Sequence, residues 1–367
     1  MHRKATGPVR WLLPLVLLIV PLSGCLGGDA RSEWAFEITR LDEAYDDGLR
    51  GEGVVVAVVD TGINVGHPSL SHLRNGKASD GELIAFRDFL AGRTGVDRAF
   101  DDDGHGTHVS GIISARGSDF GDKLVNGGVD LLGASPGVSL VVARVCDPDG
   151  CDANVIDNAV SWAVEQGADV ISLSLGGVRL GLVGGILNDE QRGVQQDIES
   201  AINDAIDNGV VVVAAAGNDG RDASDVSFPG SISGVLSVGA IDDDGRVADF
   251  SNRGSGNSCS GGPLQQGRCH PNQKPELVAP GLGILSAWTG DAYVRADGTS
   301  QATPFVTAVV ALMLEGQPRL ADRDDVIEVK RILMQTARDV MGQESPHDDA
   351  AGYGIVQATT AIKAFQG

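Results

Sequence analysis

Five runs of β-branched and small apolar residues recur along the chain: VVVAVVD (Val54 to Asp60), LVVARV (Leu140 to Val145), DVISLSL (Asp169 to Leu175), VVVVAAA (Val210 to Ala216) and VLSVGAI (Val235 to Ile241). The first is continuously apolar and ends in a carboxylate, as expected of a parallel strand buried on both faces, and the others repeat the pattern. Helical segments lie between several of them. NVIDNAVSWAVEQG places Val155, Ile156, Ala159, Val160 and Ala163 on one face, and DIESAINDAIDNG does the same with Ile198, Ile202 and Ile206. Gly167 and Gly209 stop these two helices. Strand, helix and strand at this rhythm predict right-handed βαβ units, an α/β fold whose mostly parallel central sheet has helices on both faces. Ligands in such sheets bind beyond the carboxyl ends of the strands. Asp60 ends one strand and Asn218 follows another.

The 367 residues are 42% hydrophobic, enough for one large core, and they contain no internal repeat or low-complexity linker. The beginning reads differently. A basic MHRKATGPVR is followed by the apolar WLLPLVLLIVPL and then LSGC. The apolar run is short for a membrane span, so residues 1–24 read as a secretory signal. PLSGC resembles a lipobox, in which cleavage falls before Cys25 and that cysteine receives lipid; the rival is an uncleaved anchor with an incidental cysteine. Residues 25–33 then form a short tether and residues 34–367 the folded body. The expected location is the outer face of the cell membrane, held there by the lipid, with free secretion as the alternative.

Beyond Cys25 the cysteines form two local pairs, Cys146 with Cys151 in CDPDGC and Cys259 with Cys269 in CSGGPLQQGRC. An oxidising exterior favours disulfides in both. Zinc is the rival, but neither pair has CxxC spacing. The formal net charge is −22, with 38 Asp against 12 Glu and only 6 Lys against 22 Arg. Such an acidic chain argues against nucleic-acid binding. Its Asp-rich, Lys-poor balance looks like that of a protein from a high-salt cell, where salt screens the self-repulsion. A merely acidic secreted protein is the alternative.

Three polar segments stand out: VVDTGI with Asp60, DDDGHGTHVSG with His105, and DGTSQATP with Ser300. Amide hydrolysis at neutral pH needs a nucleophile, a base that takes and returns its proton, and a carboxylate that orients the base. Taken singly, each residue has another reading. Asp60 could form a strand-end turn, His105 could cap a helix or pair with His108 on a metal, and Ser300 could be an ordinary helix-start residue. Together they form a stronger pattern.

The segments VAVVDTGI, GHGTHVSGII, ISLSLGG, VVAAAGN, and KPELVAPG followed by GTSQATP resemble, in this order, the subtilisin-like serine proteases, the subtilases. The resemblance runs from about Trp34 to the last helix and implies a three-layer subtilisin-like fold. It implies that Asp60 orients the base, His105 is general base and acid, and Ser300 attacks the scissile carbonyl. Asn218 resembles the oxyanion-hole asparagine, joined by the backbone N–H of Ser300. Ser174, Leu175, Gly176 and Gly177, with Ala214, Ala215, Ala216 and Gly217, resemble the strands flanking the substrate pocket, where small residues would let an extended peptide pair as an added strand. CDPDGC falls at the other substrate-lining edge, where Asp147, Asp149 and Asp152 would disfavour acidic residues N-terminal to the cut. The implied partners are polypeptide substrates and, through Cys25, the membrane; a monomer is expected and no cofactor is needed for the chemistry.

Three departures from the family matter. The pattern starts soon after Cys25, which leaves no room for a folding-assisting prodomain. The family's HPDL, whose Asp often binds calcium, is HPSL here with Ser69. The following RGSDFGDKLVNGGVDLLG has Gly127 where an Asn ligand is common, although Asp119, Asp122 and Asp130 keep a structural calcium open and the metal ligands unassigned. Finally, GTSQATPF has Gln301 where Met is common, which should keep the backbone in place and remove an oxidation liability, and Phe305 where His is common, for which the sequence offers no reason. A peptide-binding pseudoprotease and a single-substrate processing protease are the rival functions.

Overall fold

A computed structural model describes residues 10–11, 32–75, 81–117, 129–175, 188–255, 268–343 and 346–367. The described strands are β1 (Arg10–Trp11), β2 (Val55–Asp60), β3 (Leu83–Asp88), β4 (Arg93–Thr94), β5 (Ser139–Arg144), β6 (Cys146–Asp147), β7 (Gly150–Asp152), β8 (Val170–Leu173), β9 (Val211–Ala215), β10 (Leu236–Ile241), β11 (Leu277–Pro280), β12 (Ile284–Ala287) and β13 (Tyr293–Ala296). The helices are α1 (Glu33–Thr39), α2 (Leu41–Asp46), α3 (His72–Asn75), α4 (His105–Ser114), α5 (Ile156–Glu165), α6 (Asp189–Asp207), α7 (Thr299–Leu314), α8 (Arg323–Thr336) and α9 (Ala358–Gln366).

The central sheet has the order β11-β10-β9-β8-β2-β5-β3-β4 and is parallel except for the β3/β4 edge. All five strands expected from the apolar runs are in it, each within two residues of its expected start and end. Their burial explains why the runs do not alternate: every residue of β5, β8, β9 and β10 is buried. Gly167 and Gly209 follow α5 and α6 with φ of 84° and 78°, the left-handed conformation that ends a helix without strain only in glycine. Helices α5 and α6 pack together on one side of the sheet, and α4 and α7 on the other.

Helix α7 is buried along its whole length, which fits its apolar composition all round. Phe305, unexplained by the sequence, is 2% exposed and meets Phe36 of α1 edge-on with ring centroids 6.3 Å apart. The aromatic residue therefore anchors the N-terminal helices on the central one. Gln357 Nε2 donates to Ile38 O and Thr359 Oγ1 to Arg40 O, joining the two ends of the folded body. β1 pairs antiparallel with β7, which with β6 forms a short hairpin closed by the Cys146–Cys151 disulfide. Cys259, the expected partner of Cys269, lies outside the described residues.

Candidate active site

Asp60 ends β2, and His105 opens α4. His105 Nδ1 lies 2.7 Å from Asp60 Oδ1, which also accepts from Thr61 N at 2.7 Å. This pair is held by a loop whose organiser is Asp101. One carboxylate oxygen accepts from Thr61 Oγ1, Asp103 N and Gly104 N; the other accepts from Thr107 N and Oγ1. Thr61 Oγ1 in turn accepts from Gly106 N, so the turn after β2 and the first turn of α4 move as one piece. Gly104 has φ 117°, and a Cβ there would stand 2.4 Å from the Trp288 ring, so both backbone and packing require glycine. Arg144, beside Asp60 in the sheet, binds both oxygens of Asp102 at 2.7 and 2.9 Å and Asp88 at 3.2 Å. None of these supports was identified from the sequence, although DDDGH carries Asp101, Asp102 and Gly104.

Burial by itself would depress the His105 imidazolium. The Asp60 carboxylate, by charge and hydrogen bond, outweighs it with help from Asp103 and Asp101, and the net shift is upward. Asp103 is itself pushed up by burial, against the hydrogen bond from His105 N. The metal reading of His105 with His108 does not hold. His108 Nε2 faces Ile284 O at 3.1 Å and Val294 O at 3.0 Å, and burial drives its pKa down to about 3. It is a neutral core histidine that ties α4 to the β12/β13 hairpin.

Ser300 is the second residue of α7. Its hydroxyl donates to Ser174 O at 2.9 Å, while His105 Nε2 has no hydrogen-bond partner among the described residues. The serine and histidine are thus not bonded in this state. Pro304 lies four residues on and has no N–H to give to the Ser300 carbonyl. Ser174 Oγ fills that place, donating to Ser300 O at 3.0 Å. A reciprocal pair of bonds therefore fixes the start of α7 to the end of β8.

Asn218 follows β9 and is exposed. Its Oδ1 accepts from Thr299 N and Thr299 Oγ1, both at 2.9 Å, while Gly217 N donates to the same Thr299 hydroxyl at 3.1 Å. With Oδ1 so held, Nδ2 is left as a donor beside the first turn of α7, whose N–H groups lack intrahelical partners.

The cleft beside His105 is lined by Asp103, the Cys146–Cys151 hairpin with Asp147 and Asp149, and Ser174 and Leu175. Asp152 is occupied otherwise, capping the turn that leads into α5 by accepting from Asn154 N. Ser174 and Leu175 are buried, and Gly176 and Gly177 lie outside the described residues. Ala214, Ala215, Ala216 and Gly217 are also buried. Ala216 N donates to Val238 O and Ala216 O accepts from Ser227 N; Gly217 O accepts from Asn252 N. With β8 and β10 on either side of β9, this segment offers a wall of small residues, and the N–H and C=O groups of Ala216 and Gly217 each already have a partner within the protein.

A calcium site does not assemble among the described residues. Ser69 Oγ is bonded to Tyr293 Oη at 2.9 Å, and no group of three or more His, Cys, Asp or Glu could hold a metal. Asp119, Asp122 and Gly127 lie outside the described residues. No described helix is long and apolar enough to cross a membrane.

The subtilase family pattern matches residues 51–354. The chain is 30% identical over 331 residues to subtilisin BL of Lederbergia lenta, covering 90% of this chain and 98% of that protein. It is also 30% identical over 331 residues to M-protease of Shouchella clausii, covering 90% and 70%. The major intracellular serine protease of Bacillus subtilis is 30% identical over 283 residues, covering 76% and 73%. With an eight-stranded, mostly parallel sheet between helices, the chain belongs to the subtilase family and is a serine-type endopeptidase that acts on polypeptides.

Proposed function

We propose that Ser300, His105 and Asp60 form the catalytic triad of an exported, lipid-anchored peptidase, with Asn218 Nδ2 and Ser300 N as oxyanion donors. The observation that carries this reading is the 2.7 Å contact of His105 Nδ1 with Asp60, beside a cleft, with Nε2 unpartnered. In this reading the Ser300 hydroxyl leaves Ser174 O and donates to His105 Nε2. Oγ then attacks the scissile carbonyl and its proton passes to Nε2. The new imidazolium is stabilised by Asp60, and the carbonyl electron pair moves onto oxygen, facing the two donors. Collapse breaks the C–N bond as His105 returns the proton to the leaving amine. Water, activated by the same histidine, then releases the acyl group and restores the serine.

The test is labelling with a fluorophosphonate of protein purified in molar salt. Label on Ser300 that disappears in His105→Ala is expected; unlabelled but folded wild-type protein would favour a peptide-binding role instead. Export rests on the basic and apolar segments of residues 1–24, with 25–33 as tether and 34–367 as the peptidase unit. Lipidation at Cys25 predicts that incorporation of a labelled fatty acid is lost in Cys25→Ser. Asp147 and Asp149 in the cleft support selection against acidic residues N-terminal to the cut. Equal cleavage of peptides carrying Asp, Lys or Leu there would remove that part of the reading.

A further inference from the structure

Gln301 follows the nucleophile and is 1% exposed. Neither Oε1 nor Nε2 has a hydrogen-bond partner among the described residues. A carboxamide buried in this way opposes folding, and an apolar side chain of the same length would fit at lower cost. Its surroundings supply a reason for it. A Cβ placed on Gly298 would stand 2.7 Å from Gln301 Oε1, 3.4 Å from Asn218 Nδ2 and 3.6 Å from Ser300 N. The amide of Gln301 and the two proposed oxyanion donors therefore converge over Gly298, where any side chain at residue 298 would collide with the Gln301 amide. The two ends of a carboxamide exchange by a half-turn about its terminal bond. With neither end bonded, that half-turn breaks no hydrogen bond.

We propose that Gln301 is a catalytic residue, the third hydrogen-bond donor to the oxyanion. This rests on the assignment of Ser300 as nucleophile. As the Oγ–C bond forms and the C=O electron pair moves onto oxygen, the developing negative charge draws Nε2 of Gln301 toward the position that Oε1 holds in the resting state. The oxyanion then accepts from Asn218 Nδ2, Ser300 N and Gln301 Nε2. When the C=O bond re-forms and the amine leaves, the amide is released, and no atom or electron of Gln301 is consumed. A donor that engages only charged oxygen acts on the transition state and leaves ground-state binding alone.

The experiment uses the full chain and replaces Gln301 by Met, which keeps the length and removes the donor, with Gln301→Leu as the second variant. Turnover of a peptide anilide, inhibition by a peptide aldehyde of the same sequence, and the denaturation midpoint are measured together. The aldehyde forms a hemiacetal with serine, so its oxygen occupies the oxyanion position. A hydrogen bond to a charged group implies a fall in kcat of about 10–100-fold at nearly constant KM. Aldehyde affinity should weaken by the same factor, while the denaturation midpoint rises because the unpartnered amide is gone. A purely structural glutamine would not produce lower turnover together with higher stability. Turnover and aldehyde affinity within twofold of wild type in both variants would overturn the proposal. Failure of the Ser300 assignment shows separately, as wild-type protein without fluorophosphonate label, and overturns both.

Discussion

Two groups of buried polar side chains lie at opposite ends of the central strands and are built on opposite terms. At the carboxyl ends, Asp60 Oδ2, His105 Nε2 and both amide atoms of Gln301 have no partner among the described residues. At the amino ends of β10 and β11, Lys274, Glu276 and Lys330 are wholly inaccessible, and the one carboxylate lies within ion-pair distance of both ammonium groups. Glu276 Oε1 lies 2.9 Å from Lys274 Nζ and 2.6 Å from Lys330 Nζ, and Oε2 accepts from Ser237 N at 2.7 Å. Both ammonium groups donate to Val235 O, and Lys330 also donates to Asn272 Oδ1. A buried unpaired polar group costs about 1–3 kcal/mol, so a cluster of them persists where a ligand will use them. The closed cluster instead joins α8 to the start of two strands. One end of the sheet gathers unpartnered polar atoms around the proposed catalytic residues, and the other gathers charges that tie α8 to the strands.

Substitutions should separate the two ends. The largest effect is expected for Ser300→Ala, which should lower kcat by about 10⁶-fold, the loss known for this change in subtilisin. Its stability should stay within about 1 kcal/mol of wild type, since only the bond to Ser174 O is lost; urea unfolding and peptide turnover on one preparation check both. Glu276→Ala should do the reverse. It leaves two ammonium groups buried without their counter-charge, a loss of about 3–5 kcal/mol, with turnover per folded molecule unchanged. A fall in turnover there would mean that the two ends are coupled. Asn218→Ala should lower kcat by about 10²–10³-fold, again the magnitude known from subtilisin, with a stability loss of about 1–3 kcal/mol because Thr299 N and Oγ1 lose their acceptor.

Smaller effects sharpen the contrast through pH. Burial pushes Lys274 down to about 7, opposed by the Glu276 charge. The fold thus favours its neutral form, and protonation opposes folding. That penalty is complete below about pH 7 and fades as pH rises toward the unfolded value of about 10.4. Lys274→Met should be neutral or stabilising at pH 7 and should flatten stability between pH 7 and 10, as read from unfolding midpoints across that range. At the other end, the proposed mechanism requires His105 to be neutral, so its raised pKa places the expected acid limb of kcat/KM above the ordinary histidine range. Asp103→Asn removes one of the charges that raise it and should move that limb to lower pH. An unmoved limb would show that Asp103 contributes nothing to His105.

The legible part of this protein is the part governed by local pattern. Buried strands such as β9 carry no alternation because neither face meets water, and the stop of α5 at Gly167 follows from backbone freedom. Asp60, His105, Ser300 and Asn218 stood out because they sit in short, distinctive segments at strand and helix ends. His108 was ambiguous, since spacing places it one helical turn from His105 but does not say that its ring faces the carbonyls of β12 and β13. Phe305 was unreadable because its partner, Phe36, is distant along the chain. The cluster of Lys274, Glu276 and Lys330 was invisible for the same reason: charged residues are ordinarily exposed, and only packing brings these three together away from water.

The sequence by itself determined the α/β class, the strands and helices that hold the candidate residues, and the family, because these depend on periodicity and contiguous motifs. Only the tertiary structure decided that Ser300 rests on Ser174, that Asn218 is aimed by Thr299, and that Gln301 lies unpartnered beside them. These are contacts between segments far apart in the chain, set by how α7 is seated against the ends of β8 and β9.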